Sequence, residues 1–161
     1  MTLSIRPATP ADLPLIAQLI RDLAEYEKLA HEVRFDEAVL GAKLFGPRPY
    51  AEVVIGELDG VAQGFALFFH NFSTFEGKPG IYLEDLFVRP EARGSGLGKA
   101  LLAHLAKLAI ERDCARLEWW VLDWNEPAIG FYQKLGARLM GDWTVMRVDG
   151  ANLARLGAEA R

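Results

Sequence analysis

The run Glu84-Asp85-Leu86-Phe87-Val88-Arg89-Pro90-Glu91-Ala92-Arg93-Gly94-Ser95-Gly96-Leu97-Gly98-Lys99 constrains the fold more than any other part of the chain. An apolar strand enters a proline turn, and three alternating glycines follow an arginine. Leu97, Leu101, Leu105, Leu108 and Ala109 then recur at helical spacing. A strand that passes into a helix through glycines leaves bare backbone N–H groups at the helix N-terminus, a natural seat for a pyrophosphate. Gly94, Gly96 and Gly98 keep side-chain carbons out from between chain and ligand, while Arg93 and Lys99 add positive charge at the two edges.

Two other phosphate-binding loops fail on spacing. The nucleoside-triphosphatase loop wants glycine, four residues, then Gly-Lys-Ser/Thr. Counting back from Gly98-Lys99 puts Arg93 first and Ala100 last. The dinucleotide fingerprint Gly-x-Gly-x-x-Gly runs onto Lys99 in one register and Leu101 in the other. Arg93, Gly96 and Gly98 instead spell Arg/Gln-x-x-Gly-x-Gly/Ala. That segment closely resembles the coenzyme A loop of the GNAT superfamily of N-acetyltransferases.

The chain of 161 residues fits one domain, spanning 1–161, and 51% hydrophobic with 25% charged residues describes a globular protein. A net charge of −4 argues against a nucleic-acid partner, which wants a basic face. One cysteine excludes an internal disulfide framework. The opening Met1-Thr2-Leu3-Ser4-Ile5-Arg6 meets charge and proline too soon for a signal peptide. No apolar run approaches the ~20 residues that span a bilayer. A cytoplasmic chain without a membrane partner is the expectation.

Local patterns predict β-α-α-β-β-β-α-β-α-β and a terminal helix. Leu3–Arg6 reads as a strand, followed by a helix that Thr9-Pro10-Ala11-Asp12 opens and whose stripe is Leu13, Ile16, Ile20, Leu23 and Ala24. A helix over Asp36–Phe45 stops at Gly46-Pro47. Strands at Ala51–Leu58 and Val61–Phe69 flank an Asp59-Gly60 turn. Ile81–Val88 and Arg116–Leu122 are strands on either side of the glycine-led helix. Pro127–Leu135 is a helix closed by Gly136, Trp143–Val148 a last strand, and Ala151–Ala158 a short helix. The fold class is a mixed α/β (α+β) arrangement, a mostly antiparallel central sheet with helices on both faces. This order is also the superfamily's.

A second segment, Asn125-Glu126-Pro127-Ala128-Ile129-Gly130-Phe131-Tyr132, resembles the superfamily's Asn-x-x-Ala-x-x-Phe-Tyr element. The resemblance implies acetyl-CoA as acyl donor. Its pyrophosphate would lie on Arg93, Gly94, Ser95, Gly96, Leu97, Gly98 and Lys99. Its pantetheine would pair with the backbone of Leu86, Phe87 and Val88, with Asn125, Ala128 and Tyr132 also in contact. It further implies Tyr132 as the general acid that protonates the departing thiolate, and a phenol of reference pKa near 10 suits that task. Glu84 would relay the amine proton through water. Consecutive strand residues point to opposite faces, so at most one of Glu84 and Asp85 is expected to face the reaction.

Nearly the whole chain resembles the spermidine/spermine (diamine) acetyltransferase branch. Tyr26-Glu27-Lys28-Leu29 and Leu122-Asp123-Trp124-Asn125 lean toward its thialysine-acetylating relatives. That implies an amine pocket lined by Tyr26 and Glu27, with Glu84 at the reacting amine, and a homodimer. Met140-Gly141-Asp142-Trp143 is shorter than the relatives' segment, which leaves Asp142 as the candidate replacement carboxylate. The loop 71–78 carries Phe75 but lacks the tryptophan and aspartate that shape a polyamine site. A short amine or lysine-like amino acid is therefore expected ahead of spermine, by direct attack in a ternary complex. Acetylation of protein or peptide amines, and a non-catalytic acyl-CoA sensor, stay open as alternatives. Cys114 has no histidine near it in sequence and reads as a small buried thiol. The scattered histidines give no metal site.

Overall fold

A computed structural model describes residues 1–161, which divide into two compact units, Met1–Leu122 and Asp123–Arg161. The first holds a five-stranded sheet in sequential order: β1 (Leu3–Pro7), β2 (Glu52–Leu58), β3 (Val61–Ser73), β4 (Lys78–Val88) and β5 (Leu117–Trp119). The first four strands pair antiparallel, and β5 joins β4 in parallel. Asp59 and Gly60 both take positive φ, 49° and 78°, and so make the tight hairpin that joins β2 to β3.

Helix α1 (Leu13–Tyr26) begins after a turn at Pro10–Asp12 with a reciprocal capping box between Thr9 and Asp12. Arg6 on β1 grips Asp12 through both guanidinium nitrogens at 2.8 and 2.9 Å and pairs with Glu57 on β2, fixing the helix start to the sheet. Helix α2 (Glu37–Phe45) is capped by Asp36, whose side chain accepts from the Val39 amide. Ile16, Leu19 and Leu23 of α1 and Leu44 of α2 pack on Val53, Ile55, Phe65, Leu67 and Phe87. Each side chain so buried contributes roughly 1.5–3 kcal/mol. Helix α3 (Leu97–Glu111) covers the opposite face. Its Leu97 lies so close to Gly56 that a Cβ there would meet Leu97 Cδ1 at 2.8 Å. At its far end Arg112 chelates Glu52 at 2.7 and 3.0 Å. The predicted mixed sheet with helices on both faces is thus the observed one.

Alternation fails at one place that matters. Leu67 pairs with Asp85, but the next residue, Phe68, pairs with Leu83, so Glu84 is an extra residue in β4. Such a bulge lets two neighbouring side chains lie on one side of the sheet. Leu67 and Phe87 identify the side that Asp85 shares as the α1 face. The regular alternation assumed for Glu84 and Asp85 does not hold at this point of the strand.

The second unit contains α4 (Glu126–Lys134) and α5 (Gly150–Gly157). Gly136, at φ 98°, terminates α4 as expected. Trp143–Val148 is not a strand: it is exposed and has no ladder partner in the chain. An alternating sequence supplies propensity, but only a neighbouring strand supplies the hydrogen bonds. For the same reason β5 is shorter than the predicted Arg116–Leu122. No helix is long and apolar enough to cross a membrane.

Candidate active site

The glycine loop forms as its sequence demands. After the turn Pro90–Ala92, Gly94 and Gly96 adopt φ of 80° and 90°, a region that side-chain-bearing residues avoid, and Gly96 caps α3. A Cβ at Gly94 would meet nothing within 4 Å, and one at Gly96 only Leu3 Cδ1 at 3.9 Å. The space beside these glycines is therefore open on the outer side. Ser95 Oγ accepts from the Leu97 amide at 3.3 Å, whereas the amides of Gly94, Gly96, Gly98 and Lys99 have no acceptor within the protein. Four unpaired donors at the start of a 15-residue helix form a cradle for a doubly charged oxyanion. Leu97 itself is a core side chain, 1% exposed, so only its backbone is presented to the loop.

Strand β4 leads into this loop with one edge partly open. β5 pairs only with Ile81, Tyr82 and Leu83, so Asp85 to Val88 are paired through β3 alone and Glu84 pairs with neither strand. Phe87 is buried beneath α1, while Leu86 and Val88 are half-buried. Arg93 turns back over this strand: its Nε donates to the Val88 carbonyl at 3.2 Å. Its guanidinium lies 4.9 Å from the Tyr26 ring centre and 5.7 Å from that of Phe87. Tyr26, Phe87, Arg89 and Arg93 line a cavity of about 580 Å³ together with Asp22 and Glu25. Lys99 is exposed on the first turn of α3.

At the C-terminal end of α1, Glu27 meets the bulge of β4. Burial pushes the Asp85 carboxyl from 3.8 up to about 7, and the charges of Glu84 and Glu27 add to the rise. Glu27 is raised too, by burial first and then by Glu84. None of the three carboxylates has a hydrogen-bonding or ion-pairing partner within the protein. Unbalanced negative charge in a partly desolvated place attracts a cation of small size, and an ammonium fits. Asp85 is the site residue that alternation missed; the only sequence signal is its position beside Glu84. Phe75 stands fully exposed at the tip of the β3–β4 hairpin.

The second unit carries the other sequence-predicted residues. Asn125 is 6% exposed and caps α4, its Oδ1 accepting from the Ala128 amide at 3.4 Å. Tyr132 lies about two turns further along the same helix, half-buried against Phe131 at 5.6 Å between ring centres. Asp142 is exposed in a turn closed by the Trp143 amide on the Met140 carbonyl at 3.4 Å.

Comparison with known proteins gives a consistent result. The sequence model of the acetyltransferase (GNAT) family matches residues 16–137. The thialysine N-epsilon-acetyltransferase of Bos taurus is 36% identical over 96% of this chain and 97% of its own. The L-ornithine N5-acetyltransferase of Arabidopsis thaliana is 33% identical over 91% of this chain and 84% of its own. Among solved structures, an integron cassette protein from the mobile metagenome of V. cholerae superposes with a TM-score of 0.81 at 28% identity, covering 99% of both chains.

Proposed function

The chain belongs to the GNAT acetyltransferase family, and from that premise we propose that it acetylates a primary amine of a small diamine or lysine-like amino acid with acetyl-CoA as donor. The observation that carries the acceptor assignment is the partnerless trio Glu27, Glu84 and Asp85 at the end of α1. The names of the relatives, which act on thialysine and ornithine, support the same class. The cytoplasmic location and the homodimer that the resemblance implies are proposed with this reading.

Acetyl-CoA supplies an activated acyl thioester. Its diphosphate would rest on the amides of Gly94, Ser95, Gly96, Leu97, Gly98 and Lys99, with Arg93 swinging from Tyr26 to meet it. Along the open β4 edge the outward-facing backbone groups of Leu86, Phe87 and Val88 would bond the amides of the pantetheine arm, the Val88 carbonyl once Arg93 has left it. Asn125 and Ala128 on the second unit are assigned to cofactor contact by the family motif.

On the acceptor side, Tyr26 and Glu27 hold the distal ammonium and Asp142 is a further candidate contact. Glu84 takes the proton that the reacting amine releases, by way of water, so that the nitrogen lone pair is free to attack. Tyr132 Oη supplies the proton that the leaving thiol needs. The two proton transfers balance, and neither requires a covalent acyl-enzyme.

Release of free thiol from acetyl-CoA, followed against diamines, polyamines, lysine analogues and short peptides, tests the assignment. Turnover is expected with short diamines and lysine analogues. Turnover with peptides alone would make the chain a protein acetyltransferase. No release with any amine, together with tight coenzyme A binding, would make it an acyl-CoA sensor.

A further inference from the structure

Next to the acidic trio lies a group of aromatic rings that the proposed mechanism does not use. Tyr82 precedes Glu84 by two residues on β4, a separation of roughly 6.7 Å along a strand, within reach of a short aliphatic chain. It pairs with Phe69 on β3 and Glu118 on β5. The Phe69 and Tyr82 ring centres are 5.1 Å apart, and the edge of Trp120 meets Tyr82 at 5.7 Å and 78°. Register gives Phe69 and Tyr82 the α1 face, the same face as Asp85, with Glu84 in the bulge between. Trp120 is 62% exposed, and Tyr82 and Phe69 are half-buried.

The charges around these rings are unevenly matched. Glu118 is held by Arg116 Nε at 3.0 Å and Asn71 Nδ2 at 3.2 Å. Glu84 and Asp85 have no such partner. Burial raises the Tyr82 phenol, followed by the charges of Glu84, Glu118 and Asp85, so the hydroxyl stays neutral and the ring lies within the field of those carboxylates. An exposed aromatic surface beside unpaired carboxylates binds an organic cation better than a hydrated metal ion. Its rings take the methylenes and the ammonium face, and its acids take the charge.

We propose that Tyr82, backed by Phe69 and Trp120, is a specificity-determining wall of the acceptor site, against which the alkylammonium chain lies while Glu84 and Asp85 balance its charge. This rests on the amine-acetyltransferase reading and adds the surface that selects the acceptor. Removing the ring weakens acceptor binding and leaves the chemical step alone. Tyr82→Leu is expected to raise KM for 1,5-diaminopentane and thialysine by about 3- to 30-fold with kcat within about twofold. Tyr82→Phe keeps the ring and should keep the wild-type KM. Trp120→Leu changes an exposed side chain and should raise KM in the same direction without lowering the melting temperature.

An unchanged KM in Tyr82→Leu and Trp120→Leu overturns the proposal. So does an equal rise in Tyr82→Phe, which would assign the effect to the hydroxyl. Calorimetric titration with 1,5-diaminopentane reads the same contrast without turnover. If wild type acetylates no amine yet binds the diamine more tightly than Tyr82→Leu, the enzymatic reading fails and the wall stands. If wild type turns over and the variants match it in both measurements, the wall fails alone.

Discussion

Replacing Asp85 with asparagine removes a carboxyl that folding places in an unfavourable setting, and the effect should depend on pH in a defined way. In the unfolded chain Asp85 loses its proton near 3.8, and in the folded one at about 7, because burial and the charges of Glu84 and Glu27 oppose ionisation. Below pH 3.8 both states hold the proton and the site contributes nothing. Between the two values only the folded state keeps it, so stability falls as pH rises. Above about 7 the folded protein carries a half-buried anion without a partner, at a cost on the order of 4 kcal/mol. Asparagine has nearly the same shape and never ionises.

Urea denaturation of wild type and Asp85→Asn between pH 5 and 8.5 should therefore give curves that approach each other in acid. Between pH 5 and about 7 they should diverge as pH rises, and above about 7 the gap should level off with the variant more stable by several kcal/mol. In melting terms the gain at pH 8 is on the order of 10 °C. Adding 1,5-diaminopentane should narrow the gap, since an ammonium beside Asp85 stabilises its charged form. Parallel curves between pH 5 and 7, or a variant less stable at every pH, would refute the reasoning that Asp85 is partly desolvated without a cation.

Glu84→Gln should lower kcat on the order of a hundredfold and shift the pH–rate profile toward alkali, where the amine loses its proton unaided; an unshifted profile removes Glu84 as base. Tyr132→Phe should bind coenzyme A as wild type does while losing most turnover, and unchanged turnover would remove Tyr132 from the mechanism. The link between β1 and the start of α1 makes an opposite prediction in acid. Asp12 is lowered to about 2, by Arg6 first, so its contribution is present above pH 3.8 and is lost as pH falls through 2. Asp12→Ala should cost about 2 kcal/mol at pH 7 in a denaturation experiment, and this ionic part should be gone only below pH 2.

What could be read from the sequence is what local chemistry decides. The glycine loop was legible because positive φ and bare amides leave a glycine spacing in the chain. The helix start at Thr9 was legible because a short polar side chain before an apolar period has few other uses. The bulge at Glu84 was not legible, since it is set by how β3 and β4 pair, and nothing in Glu84-Asp85-Leu86 announces an extra residue. Hidden with it were the convergence of Asp85 on Glu84 and the place of Tyr82 on the α1 face. Trp143–Val148 shows the converse case: an alternating run predicted a strand, but the pairing partner that makes one is a tertiary fact.

Titrating coenzyme A into wild type and Gly96→Val by calorimetry tests the cradle most directly, with a thermal melt to establish that the variant stays folded. Gly96 sits at φ 90°, and a branched side chain there both strains the turn and covers the neighbouring amides. Saturable heat with wild type, lost or greatly weakened in a folded Gly96→Val, is the predicted result. No heat with wild type, or equal affinity in both, would contradict the assignment of residues 94–99 as the diphosphate seat.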